Sequence, residues 1–325
     1  MTVVITGASG VVGGAVLRHL VAGGDRVRAL VRSEEAAERV RSAGGDPVAG
    51  DITDIRSLIR AFHGADRVFH LAGLNAMCLS DPGALIRANV DGSRNVVRAV
   101  RVAGVGRLVH TSSAAALGEP AGTVGSEASP HRGSYLSGYE RSKHLSESVV
   151  LTEGHDLEVV VVNPSSVQGP GRATGTGKLI LDLVRGRLPV LVDSSISIVD
   201  IDDCARGHLL AADHGRPGER YVLNSFSRGT RDAVRLLEEV LGRALPVRYL
   251  PGGLASAGAT LIEVAARAVG RRPPVCREMV RTLRHGHLYD GSKATRELGL
   301  TYTSPQDTLR RMIEWFESRG LLERR

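Results

Sequence analysis

The chain begins with a β-branched run, Thr2 to Ile5, that stops at Thr6-Gly-Ala-Ser-Gly-Val-Val-Gly13 and gives way to an amphipathic stretch from Ala15 to Ala22. No other feature restricts the fold as much. Strand, glycine turn and helix in immediate succession are the first part of a βαβ unit, in which the helix carries the chain back across the sheet and the next strand runs parallel to the first. Gly7 suits the tight turn, Gly10 lets backbone approach a pyrophosphate, and Gly13 lets the helix pack closely on the strand. The unpaired N–H groups of the helix N-terminus face the same place, so the turn is a candidate dinucleotide site.

The pattern then repeats. Arg26 to Val31, Asp46 to Ala49, Arg67 to Leu71, Arg107 to His110 and Leu157 to Val162 read as strands, alternating with helices that include Ile55 to Phe62 and Asp81 to Val102. That alternation predicts an α/β fold with a parallel, doubly wound sheet whose ligands bind at the carboxyl ends of the strands. Arg32 and Ser33 stand at the end of the second strand, where an acid would favour NAD. Arg32 instead offers a cation to a 2′-phosphate, so NADP is preferred and NAD stays possible; Glu34 and Glu35 are alternative partners for Arg32. Asp51 follows the third strand within reach of an adenine ring, and Asp54 is placed to cap the next helix. Ala72 and Gly73 leave room above the fourth strand. Ser112 and Ser113 end the fifth, either as hydroxyls in the crevice or as turn formers.

Tyr139 and Lys143 lie four residues apart in a helical stretch, on one face. A free phenol titrates near pH 10, and a fixed ammonium beside it favours the phenolate, so the pair can act as an acid-base device. Taken alone, it reads more readily as a packed phenol beside a solvated lysine.

Composition removes other classes. The 325 residues are ample for a core, and although the net charge is +7, aromatic residues make up 3%, too few stacking platforms for a nucleic-acid binder. No apolar run is long enough to span a bilayer. The expectation is a soluble cytoplasmic protein without nucleic-acid or membrane partners. Cys78, Cys204 and Cys276 match no metal or disulfide spacing and are expected to be structural thiols, with no metal site.

Thr6-Gly-x-x-Gly-x-x-Gly13, Asp51-x-x-Asp54, His70-Leu-Ala-Gly73, Thr111-Ser-Ser113 and Tyr139-x-x-x-Lys143 occur together and in order, followed by Asn163-Pro-Ser-Ser-Val-Gln-Gly-Pro-Gly171, Val199-Asp-Ile-Asp-Asp203 and Ser292-Lys-Ala-Thr-Arg-Glu-Leu-Gly-Leu300. In this the chain resembles the extended short-chain dehydrogenase/reductases of the NAD-dependent epimerase/dehydratase superfamily, and within them the dihydroflavonol reductase-like and hopanoid-associated sugar epimerase-like branch. The resemblance implies a Rossmann domain over residues 1–165, with segments near 198–223 returning to it, and a smaller α/β substrate domain over 166–325. It implies Ser113, Tyr139 and Lys143 as the catalytic set. It implies cofactor contacts from Gly7, Ser9, Gly10, Val11, Val12, Gly13, Arg32, Asp51, Ile52, Leu71, Ala72, Gly73, Thr111, Tyr139, Lys143, Pro164 and Val167. Its partners would be a small carbonyl or alcohol substrate and a second copy, the homodimer forming through the helices near 89–102 and 139–151. The expected activity is NADP-dependent reduction of a ketone or aldehyde of a small or secondary metabolite, with Tyr139 as general acid. The alternatives are an NAD-dependent nucleotide-sugar epimerase or dehydratase, and a regulator that senses the cofactor without turnover. Asn163-Pro164, where the family usually has Arg-Pro, weakens the nucleotide-sugar reading. Asn75, Met77, Gln168 and Arg172 are candidate substrate contacts.

Overall fold

The computed structural model describes residues 1–271, 273 and 275–323, the Arg267 side chain excepted. Strand β1 (Thr2–Thr6) leads through the glycine turn into α1 (Val11–Ala22), and β2 (Arg26–Val31), α2 (Glu34–Ser42), β3 (Asp46–Ala49), α3 (Ile55–Phe62) and β4 (Arg67–His70) follow. Next come α4 (Gly83–Leu85), a π-helical turn over Ile86–Asp91, α5 (Gly92–Ala103), β5 (Arg107–Thr111), a 3₁₀ turn at Ala114–Leu117, β6 (Val124–Gly125) and α6 (Gly138–Glu153). The chain continues through β7 (Val159–Pro164), β8 (Ser166–Gln168), α7 (Thr176–Val184), β9 (Val190–Val192), β10 (Ser195–Asp200), α8 (Ile201–His214), β11 (Arg220–Leu223), β12 (Phe226–Gly229) and α9 (Thr230–Leu241). It closes with β13 (Arg248–Leu250), α10 (Gly252–Ala268), α11 (Arg277–His285), β14 (Leu288–Tyr289), α12 (Ser292–Leu298) and α13 (Pro305–Ser318).

Seven strands form one parallel sheet in the order β11-β7-β5-β4-β1-β2-β3. The order reverses at β1, which has β2 on one side and β4 on the other, so a crevice opens at its carboxyl end beside the glycine turn. Both faces are covered: Leu17, Val40, Ala205 and Leu223 belong to the core on one side, and Leu58, Phe62, Val97 and Val150 to that on the other. Burial on two faces explains why β7 is apolar at successive residues, Val159 to Val162, where a one-sided strand would alternate. Strand β11 lies at the edge of this sheet although α7, β9 and β10 intervene in the chain, so those elements are inserted between two strands of one sheet.

Beyond the sheet, β12-β10-β8 form a small mixed sheet, and β13-β9 and β14-β6 form two-stranded pairs. A second core of Ile180, Leu181, Leu237, Met312 and Phe316 joins α7, α9 and α13.

The expectation of three structural thiols is corrected here. Cys78, in the loop after β4, and Cys276, just before α11, are joined in a disulfide across 198 residues of sequence. Only the folding of α10 and α11 over that loop brings the two Cα atoms to 5.8 Å, so no local spacing could announce the bond. Cys204 alone is a free thiol, buried in the sheet core.

Candidate active site

Tyr139 is placed by the way α6 begins. Ser137 is extended, and its hydroxyl accepts a hydrogen bond from the Glu140 N–H at 3.2 Å, the arrangement of a helix cap. The Glu140 carboxylate accepts from the Leu136 N–H and pairs with Arg132, while Glu278 of α11 accepts from the Gly138 N–H at 3.0 Å and from the Cys78 N–H at 2.5 Å. One turn on, Lys143 Nζ donates to the Thr111 carbonyl at 2.7 Å, at the end of β5. A turn further, the buried Glu147 accepts from Asn163 Nδ2 at 2.6 Å and from Arg220 Nη1 at 3.0 Å. Tyr139, Lys143 and Glu147 thus form one line along the helix.

Their electrostatics are set by burial. Lys143 is pushed down to about 8 by loss of water, with the Glu147 charge opposing the shift. Burial raises the Tyr139 phenol, and the Ser113 hydroxyl beside it, then the Arg172 guanidinium, pull it back toward the phenolate. The neighbouring serines have separate places. The Ser113 hydroxyl also caps the 3₁₀ turn, accepting from the Ala115 N–H at 3.3 Å, whereas Ser112 Oγ is buried without a hydrogen-bond partner. Asn163, standing where an arginine is usual, donates to both Glu147 and the Ser113 carbonyl and so ties β7 to the end of β5 and to α6.

Asn89 sits in the π-helical turn. Its side chain accepts from the Leu74 N–H at 2.7 Å and donates to the Leu74 carbonyl at 3.0 Å and to Ser142 Oγ at 2.8 Å. A Cβ on Gly73 would lie 3.0 Å from Asn89 Oδ1 and 3.9 Å from Lys143 Nζ, so the strand-end glycine is what admits these groups. Below the site runs a buried polar chain absent from the sequence reading. His70 is hydrogen-bonded to Thr6 Oγ1 at 2.7 Å and to Ser93 Oγ at 2.9 Å, and Ser146 Oγ donates to Ser93 Oγ at 2.9 Å. Burial, with the Lys143 charge adding to it, lowers His70 to about 3, so the ring is neutral. The signal for Glu147 was available as an i,i+4 extension of the Tyr-Lys pair; that for His70 and Ser93 was not, because they meet across the sheet.

The glycine turn fits a dinucleotide. Gly7 has φ +80°, and a Cβ there would lie 2.6 Å from the Ala72 nitrogen; one on Gly13 would lie 2.2 Å from the Gly7 carbonyl oxygen. Helix α1 has Gly10 at its N-cap, with no side-chain cap and no acid in its first turn, so its leading N–H groups remain for an anion. Ser9, Val11 and Val12 line this turn with partial exposure. Leu71 and Ala72 are held to Thr6 through their N–H groups, and the Ile52 side chain packs against Gly92. Arg32 is exposed at the end of β2 and lies 3.7 Å from Asp51 at the end of β3, while Glu34 and Glu35 are taken by Arg41 and Arg39. Pro164 and Val167 are buried at the β7–β8 junction, and the Thr111 hydroxyl is hydrogen-bonded to His208. Of the candidate substrate contacts, Gln168 is fully buried and donates to Ser166, whereas Arg172 reaches the electrostatic neighbourhood of Tyr139 with its buried Nε unpaired.

Residues 3–223, which carry all of these groups except Glu278, match the NAD dependent epimerase/dehydratase family. The chain belongs to that family. It is an NAD(P)-dependent enzyme of the extended short-chain dehydrogenase/reductase kind. Among its relatives, a putative dihydroflavonol 4-reductase of Synechocystis is 33% identical, covering 98% of this chain and 95% of its own. A 4-hydroxy-2-methyl-3-oxo-4-farnesyl-3,4-dihydroquinoline-1-oxide ketoreductase of Stigmatella aurantiaca is 35% identical, covering 95% and 96%. Among solved structures, the dTDP-glucose 4,6-dehydratase DesIV of Streptomyces venezuelae with NAD and TYD bound is 26% identical with a TM-score of 0.78, covering 99% of each chain.

Proposed function

We propose that the protein is an NADP-dependent reductase of a ketone or aldehyde. The observation that carries this reading is the Ser113 hydroxyl against the Tyr139 phenol, with Lys143 one helical turn on and its ammonium on the Thr111 carbonyl at the end of β5, beside a glycine turn with free N–H groups. Reductase-named relatives at 33% and 35% identity support it. A bound nicotinamide would supply the hydride. Tyr139 gives its proton to the carbonyl oxygen of the substrate, and Ser113 hydrogen-bonds that oxygen as negative charge develops on it. Lys143, anchored on the Thr111 carbonyl, keeps a positive charge near the phenol and eases loss of its proton. Arg32 supports NADP: it is exposed, and its partner Asp51 is a long contact at 3.7 Å that a 2′-phosphate can replace.

The dehydratase likeness supports a second reading, an epimerase or dehydratase that oxidises and reduces a sugar on retained NAD. The two are separated by releasing the cofactor from the purified protein for mass spectrometry and by following NADPH oxidation with a panel of ketones and aldehydes. The reductase reading expects turnover with NADPH and little retained cofactor. Stoichiometric NAD with no NADPH oxidation contradicts it. Arg32→Ala is expected to raise the KM for NADPH about 10-fold and to leave that for NADH nearly unchanged; equal effects on both would remove the NADP assignment.

A further inference from the structure

Helix α10 turns its larger apolar residues to solvent. Leu254, Ala257, Leu261, Val264, Ala265 and Ala268 follow one another at helical spacing and all are exposed, Leu261 at 72% and Val264 at 62%. Its packed face is made of small and polar residues, with Ala259 and Glu263 buried and Ser256 and Thr260 half-buried. Ser256 Oγ accepts from Arg284 Nη1 at 2.9 Å, and the buried Glu263 accepts from the Arg277 N–H at 2.7 Å, both donors belonging to α11. A helix in contact only with water would be arranged the other way round.

The charge around this face selects what covers it. Arg271, after the end of α10, and Arg277, Arg281 and Arg284, on the α11 helix packed against it, are exposed. Residues 251–289 contain two acids, Glu263 and Glu278, and both are turned inward onto N–H donors. A second copy of the chain meeting this patch about a two-fold axis would set one arginine rim against another. An apolar stripe bordered by cations instead complements the interface of an anionic bilayer, where aliphatic side chains enter the acyl boundary and guanidinium groups meet phosphate. We infer that α10 is an interfacial helix that docks the α10–α11 segment on an anionic lipid surface. The absence of a spanning segment, which led to the expectation of no membrane partner, does not bear on a helix lying in the membrane plane. The disulfide and Glu278 tie the α10–α11 segment to the loop after β4 and to the first turn of α6, so docking would bring the mouth of the cleft to the membrane.

The inference is independent of whether the enzyme is a reductase or an epimerase, and its test uses no turnover. The full-length protein is floated with vesicles of phosphatidylcholine alone or with phosphatidylglycerol added, at low and high salt, beside the double variant Leu261→Asp/Val264→Asp. Both sites are exposed, and an unchanged melting temperature verifies the variant's fold. Expected are binding to the phosphatidylglycerol vesicles, weaker binding at high salt, and about a 10-fold or greater loss in the variant. No binding by the wild type, or equal binding by the variant, overturns it. So does sedimentation showing that the substitutions dissociate a dimer while lipid binding is unaltered.

Discussion

Two buried bases, His70 and Lys143, each make stability rise with pH, in separate windows. His70 is neutral in the folded protein, with a value of about 3 against the ordinary 6.5, because burial and then the Lys143 charge oppose its protonation. Between those values the unfolded chain binds a proton that the folded one refuses, so stability falls as the solution is acidified through that window. Urea unfolding at a series of pH values should show this loss, at most on the order of 5 kcal/mol from His70, and a shallower slope in His70→Gln. Lys143 also has a lowered value, about 8 against 10.5. Holding its proton costs stability at and below neutrality, and that cost disappears as pH rises from about 8 toward 10.5. Activity responds in the other direction, since the proposed role needs the charge. The rate at low substrate should therefore decline above about pH 8, measured as kcat/KM, and a profile flat well beyond that value would separate Lys143 from the chemistry.

At the scale of elements, the α10–α11 segment depends on a covalent bond to the loop after β4. Replacing Cys276 by Ser, or adding a reductant, should lower stability by about 2–4 kcal/mol and speed proteolysis within 252–285, while Cys204→Ser leaves the proteolysis rate unchanged. Elements of this kind show what the sequence could and could not disclose. The turn at Gly7 to Gly13, the cap at Ser137 and the Tyr139–Lys143 spacing are local, and local geometry is written in neighbouring residues. The Cys78–Cys276 bond, the double acceptance by Glu278 and the pairing of Arg32 with Asp51 join residues that meet only after the sheet has formed. Glu34 and Glu35 were nearer Arg32 in sequence, yet they lie on α2 and pair with arginines of that helix. The direction in which α10 turns its apolar face was not legible, because amphipathicity alone assumes that the apolar side is the buried one.

In the whole molecule, the parallel sheet sets the cofactor turn at the end of β1, Thr111 and Ser113 at the end of β5 and Asn163 at the end of β7 on one edge, and α6 crosses that edge with Tyr139 and Lys143. Strand β11 returns to the edge of the same sheet beside β7 after α7, β9, β10 and α8. The central claim is that this assembly serves proton delivery by Tyr139, and Tyr139→Phe tests it most directly because only the hydroxyl is removed. NADPH oxidation with an accepted carbonyl substrate should fall by about 10²- to 10⁴-fold in kcat, with the Kd for NADPH little changed by fluorescence titration. A Tyr139→Phe protein that binds NADPH normally and turns over at the wild-type rate would contradict the account.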